Sequence, residues 1–596
     1  MNGDTGTNVI SKSFYEFFKE CFSLLDRRDK RKVTVIVIVQ SFLSLADILG
    51  VLLVGVLTAS LVGAPMVDLL KPLQFFFTTG RSGNDFNSEQ QKSIAVLLIL
   101  ILFLFKTGCS IYFTRRLLYF MSLRGAVFSG KLMKKVWHLP LFEFNKVSSQ
   151  NLMYAVTSGV ESLFIQILAT GLTLLSEIIL LVCMTGGLII ISPVGSTTLL
   201  LLFGIVFFII YFLLHKRIKA LGEANVKLRI DSNTLIIDAI YSYREAFVQN
   251  RRNYFYNHFY KLRESSANVL AEISFLPSIS KYAIETFVVI GMCILVFLKF
   301  LSDNLSISTS TMAILLAGSA RMAPTLLRIQ QGYLIMQGNI PMAQTALDLK
   351  DLTKDVLITQ DTAIVPDRVY EGFIPNITVR SLTFRYPGEI RDVFQDISFT
   401  LEPGEVALLV GPSGVGKSTL IECLLGLRLP TSGEVEVSNL PPAFSSVRWP
   451  GAISYMPQEV TITSGSIRSN VCLGFEEGIF GDHEVTQALE KAGLGNFIAS
   501  QHFGINSNVG EDGNLISGGQ RQRIGIARAL LTKPKLLILD EATNALDDES
   551  YYSILETIKD ISVDTTVILI SHQREGMKIS NVIIEMSENG TIKVSR

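Results

Sequence analysis

The residues best suited to chemistry lie in the last third of the chain. Gly411-Pro-Ser-Gly-Val-Gly-Lys-Ser-Thr419 follows the apolar run Val406–Val410 and leads into Leu420–Leu425. That is the strand–loop–helix setting of G-x-x-x-x-G-K-[ST], in which glycines let successive backbone N–H groups converge on phosphate oxygens at a helix N-terminus. The candidate nucleotide contacts are Gly411, Pro412, Ser413, Gly414, Val415, Gly416, Lys417, Ser418 and Thr419. Lys417 is placed to reach the β- and γ-phosphates, and the Ser418 hydroxyl to ligate Mg²⁺. A second apolar run, Lys535–Asp540, ends in an acidic pair with Glu541. A strand that delivers an aspartate to its C-terminal tip fits the second Mg²⁺ contact, and Glu541 is then placed to polarise an attacking water as general base. Ser517-Gly518-Gly519-Gln520 opens a third element, a helix whose N-terminus is another anion-binding end.

The rest of the chain must hold these motifs in place, and its composition points to two parts. At 596 residues it is too long for one domain. Apolar residues make up 48%, charged ones only 18%, and the mean hydropathy is +0.39, which implies a membrane-embedded portion. Six apolar stretches precede residue 330, at roughly 33–63, 94–114, 164–192, 196–214, 284–301 and 309–328. Each is near the ~20 residues a helix needs to cross a bilayer. Beyond residue 330, strand-like and helical runs alternate. The expected organisation is an α-helical six-span transmembrane domain over 1–350, a linker over 351–370, and an α/β nucleotide-binding domain over 371–596. Basic residues concentrate at 27–32, 115–146 and 216–281, which places those segments and both termini in the cytoplasm. The two long cytoplasmic connections lack Gly/Pro-rich composition and read as helices running on past the membrane surface. With 53 basic and 53 acidic residues there is no charge excess to hold nucleic acid. The six scattered cysteines exclude a disulfide framework or a zinc site.

The order of the motifs carries a resemblance. Leu515-Ile-Ser-Gly-Gly-Gln520 with Arg521–Leu530, lying between the phosphate loop and the Asp540 strand, resembles the signature of ATP-binding cassette (ABC) proteins, with Ile516 where leucine is usual. Six spans followed by one cassette resembles the exporter half-transporter layout. The resemblance implies that two cassettes dimerise head to tail, the signature of one closing over the ATP held by the other. It implies that Tyr386 stacks on adenine, that Gln458 touches Mg²⁺ and faces the membrane domain, and that Val509–Gly513 contacts the helical legs. It makes Asn544–Asp547 the D-loop and His572 the contact to the γ-phosphate. The expected catalytic set is Glu541, His572, Lys417 and Gln458; the Mg²⁺ ligands are Ser418, Gln458 and Asp540. Since this set and the signature are intact, a homodimer energised by MgATP is the simplest assembly, a heterodimer the alternative. Short coupling helices are expected near Leu141–Ser149 and Asp238–Ala246.

Cargo is less directly written. Ionisable residues within the apolar stretches are Asp47, Lys106, Glu177, Glu285, Arg321 and Arg328, and such residues are functional candidates. Arg321, Thr325 and Arg328 share one helix face and could line a cavity for an anionic headgroup; the bland alternatives are snorkelling of Arg328 and pairing of Arg321 with Glu177 or Glu285. Arg321–Ile329, with the amphipathic N-terminus, resembles the subgroup of exporters that flips lipid-linked oligosaccharides across bacterial inner membranes. A multidrug or lipid exporter of the same architecture is the alternative, and an ATP-gated channel or regulator is the alternative of another class.

Overall fold

A computed structural model describes residues 14–43, 88–191, 193–301, 309–356, 370–541, 548–571 and 577–596. Asp47, most of the first apolar stretch, residues 357–369 of the linker, Asn544–Asp547 and His572 lie outside the described residues, as does the side chain of Arg321. The chain divides into two compact units, Met1–Leu139 with Asn145–Leu357, and Pro140–Phe144 with Ile358–Arg596.

The first unit is helical. The amphipathic helix Phe14–Ser23 buries Phe17 and Cys21, and residues 27–43 form a second helix. Four helices exceed what a bilayer crossing requires: Ser88–Val136, Pro193–Tyr241, Arg252–Leu301 and Thr309–Leu352. The expected connections are therefore largely helix, broken by turns around residues 137–148 and 249–251. Between the first two of these, Ser149–Tyr154 runs through π-helical turns at Ala155–Gly159 and Ser162–Ala169 into Thr170–Ile191. The apolar stretches at 94–114, 196–214, 284–301 and 309–328 are helical throughout. Among the described residues, two helical stretches, Ser149–Ile190 and Arg252–Gly291, are long and apolar enough to cross a membrane.

Glycines set the spacing around the helix Thr309–Leu352. A Cβ at Gly332 would sit 2.6 Å from Leu174 Cδ2, one at Gly318 would sit 2.9 Å from Leu188 Cδ1, and one at Gly222 would strike the Gly338 carbonyl. A side chain at Gly222 would press on the Gly338 backbone and push the two helices apart, whereas one at Gly318 or Gly332 would first force the facing leucine to repack. Polar ties add direction: the Ser162 hydroxyl donates to the Asn339 carbonyl at 3.0 Å, and the buried Asp29 pairs with Arg124 at 2.8 Å. Short helices Leu141–Phe144 and Tyr243–Val248 lie where coupling helices were expected, and Tyr241, Tyr243 and Phe247 are exposed.

The second unit is built on two sheets. Strands β1 (Ile377–Phe384), β2 (Phe394–Leu401) and β4 (Ser432–Val437) form an antiparallel sheet in the order β2-β1-β4. Strands β3 (Val406–Val410), β5 (Ile453–Met456), β6 (Leu536–Asp540), β7 (Thr566–Ile570), β8 (Val582–Met586) and β9 (Ile592–Ser595) form a sheet in the order β5-β6-β7-β3-β8-β9, parallel except for β9. Its central strands are apolar at successive positions because both faces are covered. Leu408, Leu537, Leu539, Val567 and Leu569 face one core, with helices Asp482–Lys491, Gly518–Leu530 and Asp548–Ile561. Ala407, Leu409, Ile538, Ile568 and Ile570 face the other, with helix Lys417–Leu424 and the antiparallel sheet. The carboxyl ends of β3 and β6 consequently emerge on one edge, where ligands of open α/β sheets bind.

Candidate functional site

At the end of β3 the chain turns through Gly414 (φ +79) and Gly416 (φ +106) into the helix Lys417–Leu424. Both are left-handed conformations that disfavour side chains, and at Gly416 a Cβ would also sit 2.6 Å from Val393 Cγ1. At Gly414 a Cβ would meet nothing within 4 Å, so the space over the loop is open. Among the described residues none accepts a backbone hydrogen bond from the N–H of Gly414, Val415 or Gly416. Lys417 is buried, and its Nζ donates to the carbonyls of Gly411 and Pro412, each at 2.9 Å. The donor set thus fits an anion with several oxygens: a concave run of N–H groups, a helix N-terminus and an ammonium held beside them.

β6 carries Asp540, 3% exposed, to the same edge. Burial pushes its carboxyl above the usual aspartate range, with Glu541 adding to the rise, while hydrogen bonds from Ser418 and Tyr455 and the Lys417 charge pull it down. The Tyr455 hydroxyl lies 3.4 Å from Asp540 Oδ2. Burial likewise lowers Lys417, opposed by Glu541 and Asp540. Both charged groups are thus held short of water, as befits a site that receives its countercharge from a bound polyanion and a hard cation. Ser418 and Asp540, hydroxyl and carboxylate oxygens in contact, are the right donor chemistry for Mg²⁺.

Glu541 follows in a left-handed conformation (φ 48), its N–H donating to the Ile570 carbonyl at 3.2 Å. Gln458, just after β5, donates from Nε2 to Glu541 Oε2 at 2.7 Å. Lys417, Ser418, Gln458, Asp540 and Glu541 are therefore one constellation. A carboxylate held by an amide at the rim, next to a cation-ready pocket, can orient a water for in-line attack.

Two other expected residues stand apart from that constellation. The Tyr386 hydroxyl is 2.9 Å from Thr419 Oγ1, which ties the aromatic to the base of the phosphate-loop helix. Its ring lies 5.0 Å from the Arg428 guanidinium, itself paired with Glu422. Sequence reasoning passed over Arg428 and Tyr455. Ser517 caps its helix in a capping box: its hydroxyl accepts from Gln520 N–H at 3.2 Å, and Gln520 Oε1 accepts from Ser517 N–H at 2.8 Å. The S-x-x-Q spacing was the signal for that box. Gly518 and Gly519 begin the helix, and a Cβ at Gly518 would meet nothing within 4 Å.

Residues 394–544 match the ABC transporter family model. The two units together resemble the solved structure of a bacterial Atm1-family ABC exporter with ATP bound, with a TM-score of 0.74 over 96% of each chain at 20% identity. The chain has the ABC exporter fold. Among curated relatives, a putative export ATP-binding/permease protein of Rickettsia bellii is 35% identical over 251 residues, 41% of this chain and 43% of its own length. An ATP-dependent lipid A-core flippase of Pseudomonas fluorescens is 33% identical over 306 residues, 51% of this chain and 49% of its own. The matched stretch thus spans less than half the length of each relative.

In the helical unit of this exporter fold, Arg328 does not stand free. Its Nε pairs with Glu177 Oε1 at 3.2 Å and its Nη2 donates to Thr325 Oγ1 at 3.4 Å. Glu177, considered from the sequence as a partner for Arg321, pairs with Arg328; the Arg321 side chain lies outside the described residues.

Proposed function

We propose that the chain is an exporter half-transporter that works in the membrane as a homodimer and couples MgATP hydrolysis to moving an amphiphile. The observation that carries this is the single constellation of Lys417, Ser418, Gln458, Asp540 and Glu541 at the carboxyl edge of the cassette sheet. Bound Mg²⁺ would neutralise charge on the transferred phosphoryl group. Around it, Lys417 exchanges the Gly411 and Pro412 carbonyls for phosphate oxygens, the loop N–H groups hold the β-phosphate, and Glu541 takes up the proton of the attacking water. His572 is assigned to the γ-phosphate, and Ser517-Gly518-Gly519-Gln520 to the nucleotide on the partner copy. The helices Leu141–Phe144 and Tyr243–Val248 are the elements through which closure of the cassettes moves the helical legs.

For cargo we favour an anionic glycolipid of the lipid-linked oligosaccharide kind, with Arg321 and Arg328 receiving its phosphates, in a bacterial inner membrane. The similarity to a lipid A-core flippase supports lipid export in general; a multidrug exporter is the competing reading. The test is MgATP hydrolysis in lipid nanodiscs titrated with polyprenyl-diphosphate glycans and, separately, with amphiphilic drugs. Stimulation by the glycolipid that disappears in Arg321→Ala is the expected result. Stimulation by drugs alone overturns the cargo reading and leaves the ATPase reading standing.

Tyr386 as the adenine platform gives Arg428 a role: its guanidinium over the ring and its pairing with Glu422 hold the aromatic in place. Arg428→Ala is expected to weaken ATP binding about threefold to tenfold, the size of a part-desolvated cation–π contact. Equilibrium titration with a fluorescent ATP analogue reads this directly; wild-type affinity in the variant removes Arg428 from the account.

A further inference from the structure

An arginine that waits for an anionic headgroup inside a membrane faces an immediate difficulty, because bulk anionic phospholipids carry phosphates too. The geometry points to Glu177 as a built-in competitor that occupies Arg328 and releases it only to an anion of higher charge, such as a diphosphate. This rests on the anionic-cargo reading above and adds a selectivity device to it.

Helices Thr170–Ile191 and Thr309–Leu352 run antiparallel and in tight register. Leu188 packs on Gly318 and Leu174 on Gly332, each close enough that a Cβ on the glycine would fall within 3 Å of the leucine. Between those two contacts Glu177 meets Arg328 at 3.2 Å. The two glycines bring the backbones close enough for a carboxylate and a guanidinium to span the gap without either chain leaving its helix. Thr325, fully buried, takes a second guanidinium donor and fixes the fork's orientation.

The pair is asymmetric. The Arg328 side chain is 48% exposed and that of Glu177 only 22%. The carboxylate lies behind, on the packed side, while the guanidinium keeps an open edge. Among the described residues, Glu177 takes Nε and Thr325 takes Nη2, and the remaining guanidinium N–H groups can begin binding an oxyanion before the carboxylate lets go. A single negative charge competes with Glu177 on near-equal terms and gains little. A diphosphate brings more charge and more acceptors to the same fork and displaces the carboxylate. Selectivity then comes from the repulsive element beside the attractive one.

The test uses full-length protein in nanodiscs of phosphatidylcholine with a varied fraction of phosphatidylglycerol, with polyprenyl diphosphate as the probe and uncharged polyprenol as the control. In pure phosphatidylcholine, Glu177→Gln is expected to lower the half-stimulating concentration of polyprenyl diphosphate about threefold to tenfold, the worth of a part-exposed ion pair. As phosphatidylglycerol is added, the half-stimulating concentration should climb in Glu177→Gln and stay level in wild type. Glu177→Asp, which keeps the charge, should resemble wild type, so a general packing defect at 177 is separated from loss of the carboxylate. Arg328→Ala should ignore phosphatidylglycerol and lose preference for the diphosphate over polyprenol. An unchanged or higher half-stimulating concentration for Glu177→Gln in phosphatidylcholine overturns the inference while the cargo reading survives. A wild type that no diphosphate stimulates overturns the cargo reading and the inference with it.

Discussion

Glu541→Gln is expected to bind ATP as wild type does and to lose hydrolysis by about 10²–10⁴-fold, the range over which a positioned general base contributes. The substitution is well matched to the site. Glu541 accepts a hydrogen bond from Gln458 Nε2 at 2.7 Å, and a glutamine at 541 retains a carbonyl oxygen that can accept the same bond. The left-handed backbone at 541 and its N–H bond to the Ile570 carbonyl do not depend on the carboxylate. What the variant loses is the negative charge and the basic lone pair, while Lys417, Ser418 and Asp540 are untouched. Phosphate release under single-turnover conditions, paired with nucleotide-binding measurements, separates chemistry from affinity. Hydrolysis near the wild-type rate would remove Glu541 from the role of base and return it to that of a structural partner for Gln458.

How much of this was legible beforehand follows from how far each feature reaches along the chain. The phosphate loop is local: an apolar strand, glycines that turn left-handed at 414 and 416, and a helix that starts at Lys417 are all read from neighbouring residues. The delivery of Asp540 and Glu541 is equally local, since β6 is apolar at each position until its acidic tip. The long helices were legible because a bilayer-length apolar run continues into charged sequence that lacks the dense Gly/Pro clusters of a loop; single prolines such as Pro277 and Pro341 are carried inside the helices. Arg428 was not legible, because its place over Tyr386 depends on how the end of the phosphate-loop helix returns past the antiparallel sheet. Tyr455 was hidden for the same reason: its hydroxyl reaches Asp540 only because β5 pairs in parallel with β6, Tyr455 opposite Ile538. The Glu177–Arg328 pair shows the limit most clearly. Both residues stood out as ionisable groups in apolar stretches, yet that Glu177 meets Arg328 depends on the register in which the two helices pack at Gly318 and Gly332.

The homodimer has a sharper test than size. In a head-to-tail pair each nucleotide lies between the phosphate loop of one copy and the signature of the other, so Lys417→Ala and Ser517→Arg damage opposite walls. Ser517 closes its capping box on its own helix, so the substitution loses a cap worth about 1 kcal/mol and puts a bulky cation where the open N-terminus would meet phosphate. Each variant alone is expected to be nearly devoid of ATPase activity, because every site in its homodimer has one damaged wall. Mixed and co-purified through two tags, the two variants form a dimer with one doubly damaged site and one intact site. Activity should therefore return, to roughly half of wild type in the doubly tagged fraction, where each dimer carries one intact site of two, and to about a quarter in an unselected one-to-one mixture where half the dimers are mixed. If each copy instead completed its own site, no mixture of these variants could regain activity, since both copies would carry a lesion in the only site they own. A silent mixture whose two tags co-purify would thus sink the composite site, and recovery would place Ser517 of one copy over the nucleotide of the other.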